Sequence, residues 1–189
     1  MSRLFAVVPA AGTGRRMGAE LPKQYLSLHG RTLAEHTLTR LLALPRIERV
    51  LVAVAADDPW WPSLGIAGHG RVESVTGGAT RAASVLAGLE RLAADADDGD
   101  RVLVHDMARP CVRPSDIETL LDAYDNDGAL LALPSTDTLK EADDGARSTA
   151  TLDRNRVWRA LTPQLFSVGL LREALGRVSP EDPAVTDEA

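Results

Sequence analysis

The chain has 189 residues, 44% of them hydrophobic and 25% charged, with a net charge of −6. That length suits one well-buried domain and is too short for two, and the acidic balance excludes general nucleic-acid binding. Cys111 is the single cysteine, which excludes an intrachain disulfide and fits a reducing cytoplasm, and no apolar run approaches the about 18 residues that span a membrane.

Leu4 to Val8 is an apolar run closed by Pro9, and predicts a buried first strand. The opening MSRLFAVVPAAG imitates a signal peptide, but Pro9 and the GTGRR that follows interrupt the apolar run. Ala10, Ala11, Gly12, Thr13 and Gly14 then form a loop with almost no side chain, and the cations Arg15, Arg16 and Lys23 follow. Such a loop lets backbone N–H groups approach phosphate oxygens while the cations neutralise charge. It is not a Walker A loop, because Met17 and Ala19 stand where Gly-Lys-Ser/Thr would need its second glycine. It is not a dinucleotide loop, because Met17 replaces the third glycine and Asp57 and Asp58 come at about twice the ~20 residues expected. The pattern suits a triphosphate undergoing chemistry; the plainer reading is a strand–helix turn with exposed arginines.

Thr32 with Glu35 forms a capping box for a helix with an Ala34, Leu38, Leu41, Leu42 stripe, stopped by Pro45. Val50 to Ala55 reads as a buried strand, and DDPWWPSLG as a loop exposing Trp60 and Trp61. Arg71 to Val75 is a short strand, after which Thr76-Gly77-Gly78 turns into a helix starting near Thr80. Asp95 to Asp100 reads as a solvated acidic turn without function, and Val102 to His105 as the next buried strand. Ser115 with Glu118 predicts a second capping box, on a helix that ends before Asn126-Asp127-Gly128. Ala129 to Leu133 is a strand and Ser167 to Val178 a helix, with β-rich, turn-rich sequence between them. Alternating apolar strands and helices with short connections predict one α/β domain over 1–189, three-layered α/β/α, with a mostly parallel sheet and a β-rich excursion over 135–160.

In such sheets ligands sit beyond the carboxyl ends of the strands. Three segments should meet there: Pro9 to Gly14, Asp106 after VLVH, and Thr136 to Lys140 after ALLAL. VHDMARP places Asp106 and Arg109 past a buried strand, where the carboxylate can hold Mg²⁺ or a substrate hydroxyl, or simply cap a turn. GGATRAAS offers Gly77, Gly78, a helix N-terminus and the Ser84 hydroxyl to a base or ribose, or is a plain glycine turn with an N-cap. Thr138, Lys140, Arg154, Arg156 and Arg159 place hydroxyls and cations in the excursion, as a second phosphorylated substrate would need; solvated surface is the plainer reading for Lys140, Arg156 and Arg159. The four histidines show no metal-ligand spacing and read as structural or exposed.

PAAGTGRRM, PKQY, GGxxRxxSVxxGL, VHDxARP, DTxK, DRN, LTPQ and TDEA occur in this order from Pro9 to Ala189. In these motifs the chain resembles the 2-C-methyl-D-erythritol 4-phosphate cytidylyltransferases of the non-mevalonate isoprenoid pathway, along essentially its whole length. The resemblance implies a Rossmann-like nucleotidyltransferase fold. It also implies transfer of CMP from CTP to methylerythritol phosphate with Mg²⁺ or another divalent cation, in a cytoplasmic homodimer joined by the 135–160 arm. It implies that Arg16 and Lys23 are catalytic, stabilising charge at the α-phosphate. Pro9, Ala10, Ala11, Gly12, Thr13, Gly14 and Arg15 would hold CTP, with Gly77, Gly78 and Ser84 near its base. Arg154 would orient the methylerythritol phosphate in a pocket lined by Asp106, Arg109, Thr138, Thr162 and Thr186, and Arg154 and Thr138 would serve the partner's site. Two departures accompany it: Met107 stands where the family usually has a small residue, and the family's C-terminal helix, strand and lysine-bearing segment are absent after Ala189. Two other functions are open at this level. A nucleotidyltransferase with another phosphorylated acceptor is opposed by PKQY and DRN. A nucleotide-binding module without chemistry is opposed by Arg16, Lys23 and Arg154 together.

Overall fold

The computed structural model describes residues 2–12, 21–125 and 127–178. In chain order come β1 (Leu4–Pro9), the short ribbon of β2 (Ser27–Leu28) and β3 (Arg31–Thr32), α1 (Leu33–Leu42) and β4 (Ile47–Val54). Then follow β5 (Val72–Thr76), α2 (Arg81–Leu92), β6 (Arg101–Val104), α3 (Pro114–Asp122) and β7 (Ala129–Pro134). The hairpin β8 (Lys140–Ala142) and β9 (Ser148–Thr151), β10 (Trp158–Ser167) and α4 (Val168–Arg177) complete the described part. Among the described residues no helix is long and apolar enough to cross a membrane.

The sheet runs β5-β4-β1-β6-β10-β7. β5, β4, β1 and β6 are parallel neighbours, and β10 is antiparallel to both β6 and β7. Alternation along β1 divides the core into two layers. Leu4, Ala6 and Val8 pack with Ala34, Leu38 and Leu41 of α1 and Ile117, Leu120 and Leu121 of α3. Phe5 and Val7 pack with Val85, Leu89 and Leu92 of α2 and Val168, Leu171 and Leu175 of α4. Helices thus cover both faces, which explains why β1, β4 and β6 are apolar along nearly their whole length: neither face meets water.

The capping box at Thr32 forms in both directions: Thr32 Oγ1 accepts from the Glu35 N–H at 3.1 Å, and Glu35 Oε2 accepts from the Thr32 N–H at 2.8 Å. Thr80 and Ser167 cap α2 and α4 with their hydroxyls. The box expected at Ser115 does not form. The N-cap lies two residues earlier, at Arg113, with Pro114 at the first helical position, so Ser115 already lies inside the helix.

Two further expectations are corrected. Trp61 is buried at 6% exposure, and only Trp60, at 37%, reaches solvent. The acidic turn is structural at its end: Asp100 is 4% exposed and accepts from the Arg3 N–H at 2.8 Å, the Arg3 side chain at 3.0 Å and the Asp97 N–H at 3.0 Å. Burial pushes the Asp100 carboxyl up, but these donors outweigh it and hold the group below the ordinary carboxylate range. Its backbone also accepts from the Val168 N–H, so the turn ties the chain start to α4. Asp100→Ala is therefore expected to destabilise by about 2–4 kcal/mol, measured by urea unfolding, because buried donors lose a charged acceptor. Asp97→Ala, at an exposed neighbour, should cost under about 0.5 kcal/mol.

β10 lies outside the strands that the sequence predicts. It enters between β6 and β7, with Gln164 opposite Val104 on one side and Leu130 on the other. Its pairing with β7 shifts register between Ala160 and Gln164, where Pro163 has no N–H to give. The β8–β9 hairpin forms a separate two-stranded sheet whose residues are all exposed.

Candidate active site

β1, β4, β5 and β6 end on the same side of the sheet, and their exits are stitched together. Past the end of β1, the Ala10 N–H donates to Ala53 O of β4 at 2.7 Å; past the end of β5, the Gly77 N–H donates to Val54 O at 2.7 Å. Ala11 and Gly77 are so close that a Cβ built on Gly77 would lie 2.7 Å from Ala11 Cβ and 2.9 Å from Ser84 Oγ. Glycine at 77 is thus demanded by contact between the two loops. Ser84 is 2% exposed. Its hydroxyl donates to Thr80 O at 2.9 Å and accepts from the Gly78 N–H at 3.2 Å, so its direct work is shaping the glycine turn.

Lys23 is exposed on a one-turn 3₁₀ segment, Lys23–Tyr25, anchored at two points. Gln24 Nε2 donates to Ala10 O at 2.8 Å and Gly12 O at 3.3 Å. Tyr25 donates its hydroxyl to Asp58 Oδ2 at 2.6 Å, and burial with that carboxylate pushes the phenol well above its ordinary range. Asp58 Oδ1 in turn accepts from the N–H groups of Trp60 and Trp61. Lys23 therefore rises from a fixed base beside the first loop. Thr13, Gly14, Arg15, Arg16 and Thr186 lie outside the described residues.

Asp106 follows β6 as expected. Its Oδ1 accepts from Arg81 Nε at 3.0 Å, and its Oδ2 pairs with Arg109 Nε at 2.8 Å. The sequence reading passed over Arg81 within GGATRAAS; the signal available was its place at the first turn of a helix that points at a strand-end carboxylate. With each oxygen held by a guanidinium, Asp106 is arranged to hold arginines. Among the described residues no cluster of three or more His, Cys, Asp or Glu is placed to hold a metal ion.

The β10 bulge brings Thr162 to the same corner. The Asp106 N–H donates to Thr162 Oγ1 at 3.4 Å, Thr162 lies 3.0 Å from His105 Nδ1, and His105 Nε2 lies 3.0 Å from Arg109 O. A carbonyl can only accept, so Nε2 carries the proton and Nδ1 accepts from the Thr162 hydroxyl. His105 is fully buried, and burial lowers its affinity for a second proton below the ordinary 6.5; the Arg109 carbonyl and the Asp106 carboxylate oppose this, and the Arg109 and Arg81 charges reinforce it. Below pH about 6.5 the unfolded chain takes up a proton at this residue that the folded chain does not. Stability should therefore be full above pH 6.5 and fall as pH drops below it, and His105→Gln should flatten that part of a melting-temperature-against-pH curve.

Met107 belongs to the core. Its side chain is 2% exposed in the core layer of α1, and its carbonyl accepts from Thr37 Oγ1 at 2.7 Å. Thr138 and Arg154 are exposed in the excursion, and Arg154 Nη1 donates to Thr136 O at 3.5 Å. The structure thus gathers Pro9 to Gly12, Lys23, Gly77, Gly78, Ser84, Asp106, Arg109 and Thr162 around the strand ends. It carries Thr138 and Arg154 on the segment that leaves β7.

The family model of 2-C-methyl-D-erythritol 4-phosphate cytidylyltransferase (IspD) matches residues 4–189. The enzyme of that name from Pseudomonas putida strain W619 is 50% identical over 188 residues, covering 98% of this chain and 80% of its own length. That of Vibrio vulnificus strain CMCP6 is 48% identical over 191 residues, covering 100% and 81%. The crystal structure of the Francisella tularensis enzyme superposes with a TM-score of 0.84 at 32% identity, covering 100% of this chain and 84% of that one. Loops gathered at one end of this sheet, and a match along nearly every described residue, place the chain in one group: it belongs to the 2-C-methyl-D-erythritol 4-phosphate cytidylyltransferase family.

Proposed function

We propose that the chain transfers CMP from CTP to 2-C-methyl-D-erythritol 4-phosphate in isoprenoid precursor biosynthesis, releasing pyrophosphate. The observation that carries the reading is the joining of the first loop, the Lys23 turn and the Gly77–Gly78 turn at one end of the sheet. A phosphate monoester has a second pKa near 6, so the attacking dianion exists at neutral pH and no general base is required. A phosphate oxygen of the sugar phosphate forms a bond to the α-phosphorus of CTP, and the bond to pyrophosphate breaks with its electron pair leaving on pyrophosphate. Two anions must meet, so fixed cations and positioning supply the catalysis.

In this reading Arg16 and Lys23 act at the α-phosphate, and Pro9 to Arg15 with Gly77 and Gly78 hold the nucleotide. Ser84 supports the base through the turn it shapes. Asp106 holds Arg81 and Arg109 toward the acceptor, and Thr162 fixes the Asp106 backbone. A divalent cation, Mg²⁺ by family resemblance, enters on the triphosphate and supplies charge neutralisation there. Residues 1–189 form one domain, and residues 135–160 join two copies, so that Thr138, Arg154 and Thr186 complete the acceptor pocket across the dimer. The exposed β8–β9 hairpin, and Leu152 and Trp158 after it at 40% and 59% exposure, support such an arm. The setting is cytoplasmic.

The test is pyrophosphate release with CTP, Mg²⁺ and methylerythritol phosphate, each omitted in turn, followed by replacement of CTP with UTP, GTP and ATP. Release that requires all three and prefers CTP is expected. Release with another nucleotide or without the acceptor overturns the reading, and sedimentation at a monomer mass overturns the dimer.

A further inference from the structure

We propose that Gln24 is a positioning residue that turns the peptide planes of the first loop toward the nucleotide phosphates and locks that loop to the turn carrying Lys23. The proposal rests on the CTP reading above and names a residue that reading leaves without a role.

Gln24 is 4% exposed, and its single amide nitrogen has two hydrogens directed to two backbone carbonyls, Ala10 O at 2.8 Å and Gly12 O at 3.3 Å. These carbonyls belong to alternate peptides. A trans peptide points its N–H opposite its C=O. Holding the Ala10 carbonyl toward Gln24 therefore turns the Ala11 N–H of the same peptide plane toward the opposite face, and the bond to Gly12 O keeps the following turn of chain from rotating it back. A loop N–H fixed in this way is one donor of a backbone anion site. Small residues alone do not create that arrangement, because they leave the peptide planes free to rotate. A donor behind the loop removes that freedom.

The identity of the side chain follows from the same geometry. Glutamate would set an anion against two carbonyls beside a triphosphate. Lysine would bring a charge that competes for the phosphates. Asparagine is one methylene shorter, and a leucine or methionine fills the space without a donor. Gln24 also lies next to Lys23 on a turn whose far end is tied by Tyr25 to Asp58 at 2.6 Å, so the loop N–H groups and the ammonium stem share one rigid base.

The experiment compares wild type, Gln24→Met and Tyr25→Phe, reading CTP dissociation constants by calorimetry, KM for each substrate, kcat and melting temperature. Gln24→Met keeps the volume and removes both donors; Gln24→Glu does the same with a charge and serves if the methionine variant does not fold. Tyr25→Phe loosens the same turn without touching the loop carbonyls. The expected result is CTP binding weakened about 10–100-fold in Gln24→Met, on the scale of a misplaced site. KM for the sugar phosphate should stay within about twofold, and the change in CTP binding should be several times smaller in Tyr25→Phe at a similar loss of melting temperature. CTP binding unchanged in Gln24→Met, equal weakening of both substrates, or equal weakening in Tyr25→Phe overturns the proposal. If wild type itself binds no CTP, the functional reading fails first and the proposal falls with it; if wild type binds CTP, only the role of Gln24 is at stake.

Discussion

Lys23→Ala is expected to lower the rate of CMP transfer about 10²–10³-fold, equivalent to about 3–4 kcal/mol, while the protein stays folded. The magnitude follows from the proposed reaction, in which the ammonium faces negative charge that moves from the α-phosphate to departing pyrophosphate. The fold should be indifferent, because the Lys23 side chain is exposed and the turn beneath it is held by Gln24 and Tyr25. Single-turnover pyrophosphate release at saturating CTP isolates the effect, and the melting temperature should move by no more than about 2 °C. Loss in kcat with little change in KM for CTP would mark an interaction made chiefly in the transition state. Lys23→Arg should not restore the rate, since a planar fork on a longer stem places its charge differently from a compact ammonium. A rate within tenfold of wild type in Lys23→Ala would remove Lys23 from the catalytic role.

Much of this architecture is legible before any coordinates. The apolar runs at Leu4 and Val50 announce strands buried on both faces, and Thr32 with Glu35 announces the start of α1, because both signals are local. What sequence hides is set by distant partners. Asp100 reads as one more acid in DADDGD until Arg3, 97 residues earlier, is seen to enclose it. β10 is obscured because Pro163 and Gln164 look foreign to a central strand; the register shift accommodates the proline, and Gln164 is buried between β6 and β7. Trp61 reads as exposed because a Pro-rich loop surrounds it, yet Asp58 folds that loop back over Tyr25. Within the candidate site, the placement of Lys23, Gly77 and Asp106 at the strand ends is readable from motif context. Their supports, Gln24, Arg81, His105 and Thr162 as a hydroxyl relay, are not, since nothing in a neighbouring residue reveals which carbonyl or carboxylate a side chain reaches.

Gly77→Ala should abolish measurable CTP binding at concentrations where wild type saturates, and its comparison with Gly88→Ala shows why. Both glycines are sites of close approach. A Cβ on Gly77 would sit 2.7 Å from Ala11 Cβ, 2.9 Å from Ser84 Oγ and 3.3 Å from the Ala53 backbone; one on Gly88 would sit 2.7 Å from Val7 Cγ1. Each overlap forces a shift and should cost about 1–3 kcal/mol of stability. The shifts differ in kind. Val7 is a core side chain on β1, and α2 can relieve the clash by moving slightly off the sheet. Ala11 Cβ is one bond from the backbone of the first loop, so relief at Gly77 must displace that loop, or the Gly78–Thr80 turn that Ser84 braces, or both. Nucleotide contacts are made by those two segments in the proposed function. The two variants should therefore lose similar melting temperature, while only Gly77→Ala loses CTP affinity, by more than about 50-fold in calorimetric titration. Equal affinities in the two variants would mean that the join between Ala11 and Gly77 is structural and that the nucleotide rests elsewhere.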